Sequence, residues 1–156
     1  MSDLVQAIRS CKYLYLAELL EPADNELIVR LLEASSGAVV EDTAPSKEED
    51  NDPVQKILAG SRPIEHYDGD RKFELFWGNY IGYSVINESY SNGEDDQPGN
   101  PGSLFMQFET SRYLDYLAKA SIATSDYPGP FSHWAIYCLN HTIDVASESE
   151  PVIRLI

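Results

Sequence analysis

Apolar and polar positions alternate, or run continuously apolar, over short stretches that predict a fold built mainly from β-strands. Residues 13–20 and 26–33 are two such stretches, and the segment between them contains Pro22, Asp24 and Asn25. Proline, aspartate and asparagine favour turns, so these stretches predict a β-hairpin. A helical hairpin is the alternative because Leu and Glu favour helices, but helices this short beside a proline nucleate poorly.

A second hairpin is predicted where aromatic and β-branched residues flank a two-residue turn. Residues 73–77 and 80–86 are the flanks, and Gly78-Asn79 is the turn. A two-residue loop that begins with glycine suits the turn types that join antiparallel strands. The two flanks are therefore expected to pair with each other.

The second half of the chain predicts four more strands. They cover residues 104–108, 133–139, 142–146 and 152–156, the middle two paired across Asn140-His141 and the last an edge strand. Within 133–139, Trp134 and Ile136 share one face while Ala135 and Tyr137 share the other. Because both faces are apolar, this strand is expected to be covered on both sides.

Helical spacing of apolar residues predicts one clear helix at about 110–122, with Thr110 or Ser111 as its N-cap. Its inner face is expected to hold Leu114, Leu117, Ala118 and Ser121. Two minor helices are predicted, one after Ser2 and one that enters at Asp52-Pro53 and stops at Gly60. The sum is a single domain, residues 1–156, with an α+β fold: a mainly antiparallel sheet of about six or seven strands with these helices packed on it.

Charge narrows the choice of function, since 26 Asp and Glu stand against 11 Lys and Arg, a net charge of −15. Much of it lies at about 38–52 and 91–103, where Gly, Pro, Asn and acidic residues predict mobile, exposed loops. The loop acids expected to contact a partner are Glu48, Glu49, Asp50, Glu94, Asp95 and Asp96. A negative field repels phosphate backbones and anionic lipids, so we expect no nucleic-acid or membrane partner.

The plain interpretation of this charge is solubility, and the sharper one is an acidic face that docks on a basic protein. A cytoplasmic location is expected because the apolar runs are too short to cross a bilayer and the first residues do not resemble a secretory signal. Cys11 and Cys138 lie far apart in sequence and in no paired motif, which predicts buried, reduced thiols.

His133, Cys138 and His141 have a spacing that offers three zinc ligands in principle. On an extended strand, however, positions an odd number apart face opposite sides, so His133 and Cys138 diverge. We therefore expect neither a metal nor a cofactor.

Acid–base chemistry has three weak candidates, Glu88, His141 and Asp144, which come together if two strand ends meet. The simpler interpretation is that residues 87–90 begin a turn, because Asn and Ser there bond nearby backbone. Among the aromatic residues, Tyr127, Tyr80 and Tyr83 are the better surface candidates, since tyrosine is favoured at interfaces.

Three segments carry a resemblance: Asn87-Glu88-Ser89-Tyr90, residues 127–131 and residues 138–141. They look like parts of small bacterial proteins of unknown function, over roughly the second half of the chain. The resemblance implies no activity.

Three functions follow from these patterns. The first is a non-enzymatic acidic protein that engages a basic protein partner, with a toxin-immunity or inhibitor protein as its concrete form. The second is a small enzyme or ligand-binding protein with a pocket near Glu88, His133 and His141. The third is a structural protein that forms oligomers.

Overall fold

Nine β-strands and two α-helices make up the described part of this computed structural model, residues 3–37, 62–92 and 103–156. In chain order the elements are α1 (Asp3–Arg9), β1 (Tyr13–Leu20), β2 (Leu27–Ser36), β3 (Ile64–Glu65), β4 (Lys72–Trp77), β5 (Gly82–Asn87), a 3-10 turn (Glu88–Tyr90), β6 (Phe105–Phe108), α2 (Arg112–Ala120), β7 (Ser132–Tyr137), β8 (His141–Ser147) and β9 (Val152–Leu155). None of the helices in these ranges is long and apolar enough to cross a membrane.

The strands form two antiparallel sheets whose apolar faces meet. The first sheet has the order β1-β2-β4-β9 with β3 beside β2, and the second has the order β5-β8-β7-β6. Val29 and Leu75 of the first sheet share one buried cluster with Ile136 and Ile143 of the second. The α+β, mainly antiparallel prediction is confirmed. The expected single sheet of six or seven strands is corrected to nine strands in two sheets over the described residues, because β4 and β5 lie in different sheets; the two-residue β3 is too short to leave a pattern in sequence.

The first and last predicted hairpins are confirmed. Strands β1 and β2 pair antiparallel from Tyr13 opposite Ala34 to Leu20 opposite Ile28, with a bulge between Leu16 and Glu18. Strands β7 and β8 pair in the same way. The side chain of Asn140, in the turn between β7 and β8, donates to the Leu16 carbonyl and accepts from the Leu16 N–H. This turn therefore satisfies part of the free edge of β1.

The hairpin predicted from residues 73–77 and 80–86 is wrong. Strand β4 pairs with β2 and β9, whereas β5 pairs with β8 in the other sheet. The Tyr80 N–H donates to Asn25 and the Ile81 N–H donates to Ala146, so the chain passes from one sheet to the other across Gly78-Asn79. Pairing with strands that are distant in sequence therefore outweighs the local preference of Gly78-Asn79 for a hairpin turn.

Helix α2 lies within the predicted range and packs on the outer face of the second sheet. Ser111 is its N-cap, with Oγ accepting from the Leu114 N–H at 3.1 Å. Of the predicted inner face only Leu117 is fully buried, while Ala118 is exposed. A Cβ at Gly82 would lie 3.1 Å from a methyl carbon of Leu117, so the glycine lets the helix approach β5 closely.

Helix α1 contacts β9 and β6, one edge strand of each sheet, and buries Val5 and Ile8. It confirms the predicted N-terminal helix. Strand β9 pairs with β4 at the end of its sheet, as expected for the last apolar segment. The helix predicted from Asp52 to Gly60 and most of the two acidic loops lie outside the described residues.

Candidate functional site

A groove of about 650 Å³ lies between α2 and the loop that follows it. Its described walls are Glu109, Thr110, Leu114, Asp115, Ala118, Ala123, Thr124, Ser125, Pro130, Phe131 and Ser132. Apolar side chains from the helix and the loop alternate with hydroxyl and carboxylate groups. The helical turn containing Leu114 and Ala118, which the sequence assigned to the core, faces this groove instead.

The loop from 121 to 131 is held by its own hydrogen bonds. Ser121 Oγ accepts from the Ala123 N–H at 3.1 Å, and the backbones of Thr124 and Tyr127 bond to each other in both directions. Gly129 has a φ of 147°, a conformation that side-chain-bearing residues rarely adopt. The Tyr127–Pro128 peptide bond is cis. The hydrogen bonds within the loop give the groove a defined second wall.

Two large side chains of the loop that forms one wall of the groove are strongly exposed: Ile122 by 80% and Tyr127 by 63%. Tyr116 of α2 is 61% exposed but lines a different pocket. Single exposed apolar residues are ordinary, but a group beside a groove is typical of an interaction site. Tyr127 is thus exposed as the sequence suggested.

The charge around the groove is negative. Glu109 and Asp115 line it, Asp126 lies in the loop, and Glu148 reaches to within 3.1 Å of where a Gly129 Cβ would stand. None of the described lining residues is Lys or Arg. Over all described residues, 17 Asp and Glu stand against nine Lys and Arg, a net charge of −8. The groove therefore combines exposed apolar surface with a negative field.

Beneath α2, a buried polar chain joins the helix to the second sheet. His133 Nδ1 lies 2.9 Å from Ser111 Oγ, and His133 Nε2 lies 2.9 Å from Asp144 Oδ1. Ser84 Oγ donates to the other Asp144 oxygen at 3.1 Å. Both ring nitrogens of His133 and both carboxylate oxygens of Asp144 therefore have a hydrogen-bond partner.

These three residues are of the types found in a nucleophilic triad, but their setting is structural. Ser111 is only 4% exposed, and its oxygen already accepts from the helix N-terminus. His133 is fully buried between Phe108 and Tyr113, at centroid distances of 5.2 and 5.1 Å. A nucleophile has to reach its substrate, and the buried Ser111 does not. We therefore assign these hydrogen-bonded side chains the structural role of holding α2 on the sheet.

A smaller pocket of about 280 Å³ opens on the same sheet face, where Asp144 meets tyrosine side chains. Its described lining is Ser84, Ile86, Ser91, Asn92, Arg112, Tyr113, Tyr116, Tyr137, Thr142 and Asp144. Burial, with a smaller contribution from the Asp144 charge, raises the pKa of Tyr113 above its usual range. Its hydroxyl is therefore protonated at neutral pH and is a donor toward the pocket.

The predicted acid–base residues do not all meet. Asp144 and His133 are bonded on the outer face of the sheet, whereas His141, three residues before Asp144 on β8, faces the other side. Glu88 lies beyond the end of β5 and lines a neighbouring cleft of about 270 Å³, which shares Ser91, Tyr137 and Thr142 with the tyrosine pocket. The pocket anticipated near Glu88, His133 and His141 is thus divided between two faces.

Both cysteines are buried and unpaired, as predicted. Burial raises the pKa of each thiol to about 12, with the Glu33 carboxylate adding to the effect at Cys11. Neither is a thiolate at neutral pH. Among the described residues, no three His, Cys, Asp or Glu side chains are grouped so that they could hold a metal ion.

Tyr80 and Tyr83, the other proposed surface tyrosines, pack edge to face at 5.2 Å, and the Tyr80 hydroxyl donates to Glu21. The predicted binding acids Glu48, Glu49, Asp50, Glu94, Asp95 and Asp96 lie outside the described residues. The groove itself was missed from sequence. Its local signals in the sequence were an apolar residue, Ile122, at the end of the predicted helix and the Pro-Gly-Pro loop that follows.

No family model, curated protein or solved structure matches the chain.

Proposed function

We propose that the chain is a non-enzymatic binding protein whose groove receives a cationic, partly apolar segment of a protein partner. An inhibitor or immunity protein that blocks a basic toxin is its most concrete form. The observation that carries this proposal is that the loop forming one wall of the groove, which Glu109 and Asp115 line, also holds the strongly exposed side chains of Ile122 and Tyr127.

The two kinds of side chain contribute differently. Burial of exposed aromatic and aliphatic groups supplies most of the affinity at protein interfaces, because a few such anchors dominate the binding energy. Carboxylates around them attract a positively charged partner over a distance and raise the association rate. The net charge of −15 adds to this attraction at long range.

Polyanions do not fit this groove. A nucleic acid or an anionic membrane gains affinity from Lys and Arg that neutralise phosphates, and the described lining offers neither. A basic protein segment is the partner whose charge complements the surface.

A test uses the full chain and two short synthetic peptides, one of Lys and Leu and one of Glu and Leu. Calorimetric titration should show binding of the Lys peptide that weakens as salt is raised, and no binding of the Glu peptide. The double variant Asp115→Asn/Ile122→Ser should bind the Lys peptide at least about tenfold more weakly, since it loses one charge and one anchor.

The matched control is Glu150→Gln/Leu155→Ser, which removes one carboxylate and one exposed aliphatic side chain away from the groove. It should bind the Lys peptide as the unmodified chain does. Equal weakening in the two double variants would show diffuse attraction to an acidic surface and would reject the groove as the site.

A second candidate function is recognition of a small cationic ligand in the tyrosine pocket. The Asp144 carboxylate and the rings of Tyr113 and Tyr116 in its lining favour it, because aromatic faces beside a carboxylate attract ammonium groups. Asp144→Asn should then abolish binding of a small amine, and binding that persists in this variant would reject the pocket.

A further inference from the structure

The outer face of the first sheet carries two rows of side chains that cross all four of its main strands. Directly opposed residues form an apolar row of Leu20, Ile28, Phe76 and Val152. The residues two positions away on each strand form a second, charged row: Glu18, Arg30, Glu74 and Arg154. At the ends of the apolar row, Leu20 is 41% exposed and Val152 is 50% exposed. The apolar row is thus exposed at its two ends, Ile28 and Phe76 between them are partly buried, and the charged row lies beside it.

The charges in the second row alternate in sign. Arg30 contacts Glu18 at 2.6 Å and Glu74 at 3.0 Å, and Arg154 lies 3.9 Å from Glu74. The row has no net charge, on a chain whose net charge is −15. A basic partner gains little attraction at a neutral row. A second copy of this acidic chain meets no like-charge repulsion there.

We propose that a second copy of the chain packs on this face, related to the first by a two-fold axis that runs parallel to the strands. Such an axis reverses the order of the strands and keeps each residue at the same level along them. The apolar row then faces its own copy. Glu18 faces Arg154 of the second copy, and Arg30 faces Glu74 of the second copy, so every charge meets its opposite.

The alternation is what selects this arrangement. A two-fold axis that runs along the row would set each charge opposite its own copy, and like charges in direct contact are unfavourable. An axis parallel to the strands also keeps the two sheets nearly aligned, which is the common way in which sheets pack face to face. A self-complementary surface of this kind is what a two-fold homodimer requires.

The size of the face sets the expected strength. Four strands spaced about 4.8 Å apart make it only about 20 Å wide. Standard stable interfaces bury about 800 Å² on each partner, so this contact is smaller than most. We therefore expect a dimer in the micromolar range that dissociates on dilution.

The proposal goes beyond the proposed function and is independent of it. Helix α2 and the groove lie on the outer side of the second sheet, and the two rows lie on the outer side of the first. A dimer formed through the rows leaves both grooves open. Failure of either proposal leaves the other intact.

The test is sedimentation velocity of the full chain over a range from low micromolar to near-millimolar concentration. The unmodified chain should move from the mass of one chain to that of two. Arg154→Glu and Glu18→Arg each place like charges across the axis twice, so each should weaken the dimer at least about tenfold. The double variant Glu18→Arg/Arg154→Glu restores opposite charges across the axis and should recover dimerisation.

Lys119→Glu on α2 is the matched control, because it changes the net charge by the same amount as Arg154→Glu at an exposed position elsewhere. It should leave the dimer unchanged. A chain that stays monomeric at every concentration overturns the proposal. A dimer that Arg154→Glu leaves intact, or that the double variant fails to recover, overturns it as well.

Discussion

Arg71 donates two hydrogen bonds to Glu33, one to each carboxylate oxygen and each 2.7 Å long. The same guanidinium lies 3.4 Å from Cys11 Sγ and 5.5 Å from the centroid of Phe73. These bonds hold the pKa of Glu33 at about 2, well below its ordinary value. This partly buried ion pair thus links the turn after α1, which contains Cys11, to β2 and to the start of β4.

The pH dependence of stability follows from this pKa. The Glu33 pKa is about 2 in the folded chain against an ordinary 4.5, so its contribution is present above pH 4.5 and is lost as the pH falls toward 2. Glu33→Gln should lower the free energy of unfolding by about 1–2 kcal/mol at neutral pH. It should also make that free energy fall less steeply as the pH is lowered from 4.5 toward 2. Denaturant unfolding at a series of pH values measures both effects. If the variant lost stability between pH 4.5 and pH 2 as steeply as the unmodified chain, the role of this ion pair would be contradicted.

Sequence patterns predicted elements well where local and long-range preferences agree, and failed where they differ. The hairpin of β1 and β2 has a turn segment and two apolar runs that pair directly with each other. The Gly78-Asn79 segment looks like a hairpin turn too, but its flanks find their partners in separate sheets. Spacing alone did not reveal those partners, because they are distant in sequence.

Helix α2 shows the same limit for the candidate site. Its existence and its cap were predictable from Ser111 and the apolar spacing. The face that it buries was not, because His133 and Gly82 decide how the helix sits on the sheet. Leu114 and Ala118 consequently line the groove. The groove exists only through this tertiary placement.

Ser111→Ala tests the attachment of α2. It removes the cap of the helix and the hydrogen bond to buried His133, so we expect a loss of about 1–3 kcal/mol in the free energy of unfolding. Thr110→Ala is the matched control at an exposed position that does not cap the helix, and it should change stability by less than about 0.5 kcal/mol. Urea unfolding of both variants measures the difference. Equal losses in the two variants would contradict the assignment of Ser111 as the cap.

At the scale of the whole molecule, the two sides of the sandwich carry different electrostatics. The side with α2 and the groove is acidic and offers exposed Ile122 and Tyr127. The opposite side carries a neutral row of alternating charges beside an apolar row. We propose a cationic partner for the first side and a second copy of the chain for the opposite side. A dimer would present two grooves, and linked grooves bind a multivalent partner more tightly than one.

We propose that the groove, and not the acidic surface in general, receives a cationic segment. Chemical-shift mapping of the isotope-labelled chain during titration with the Lys and Leu peptide is the sharpest test of this proposal. The largest shifts should fall on residues 109–132, around Asp115 and Ile122. Shifts spread evenly over the acidic residues, or concentrated on β1 and β2, would contradict it.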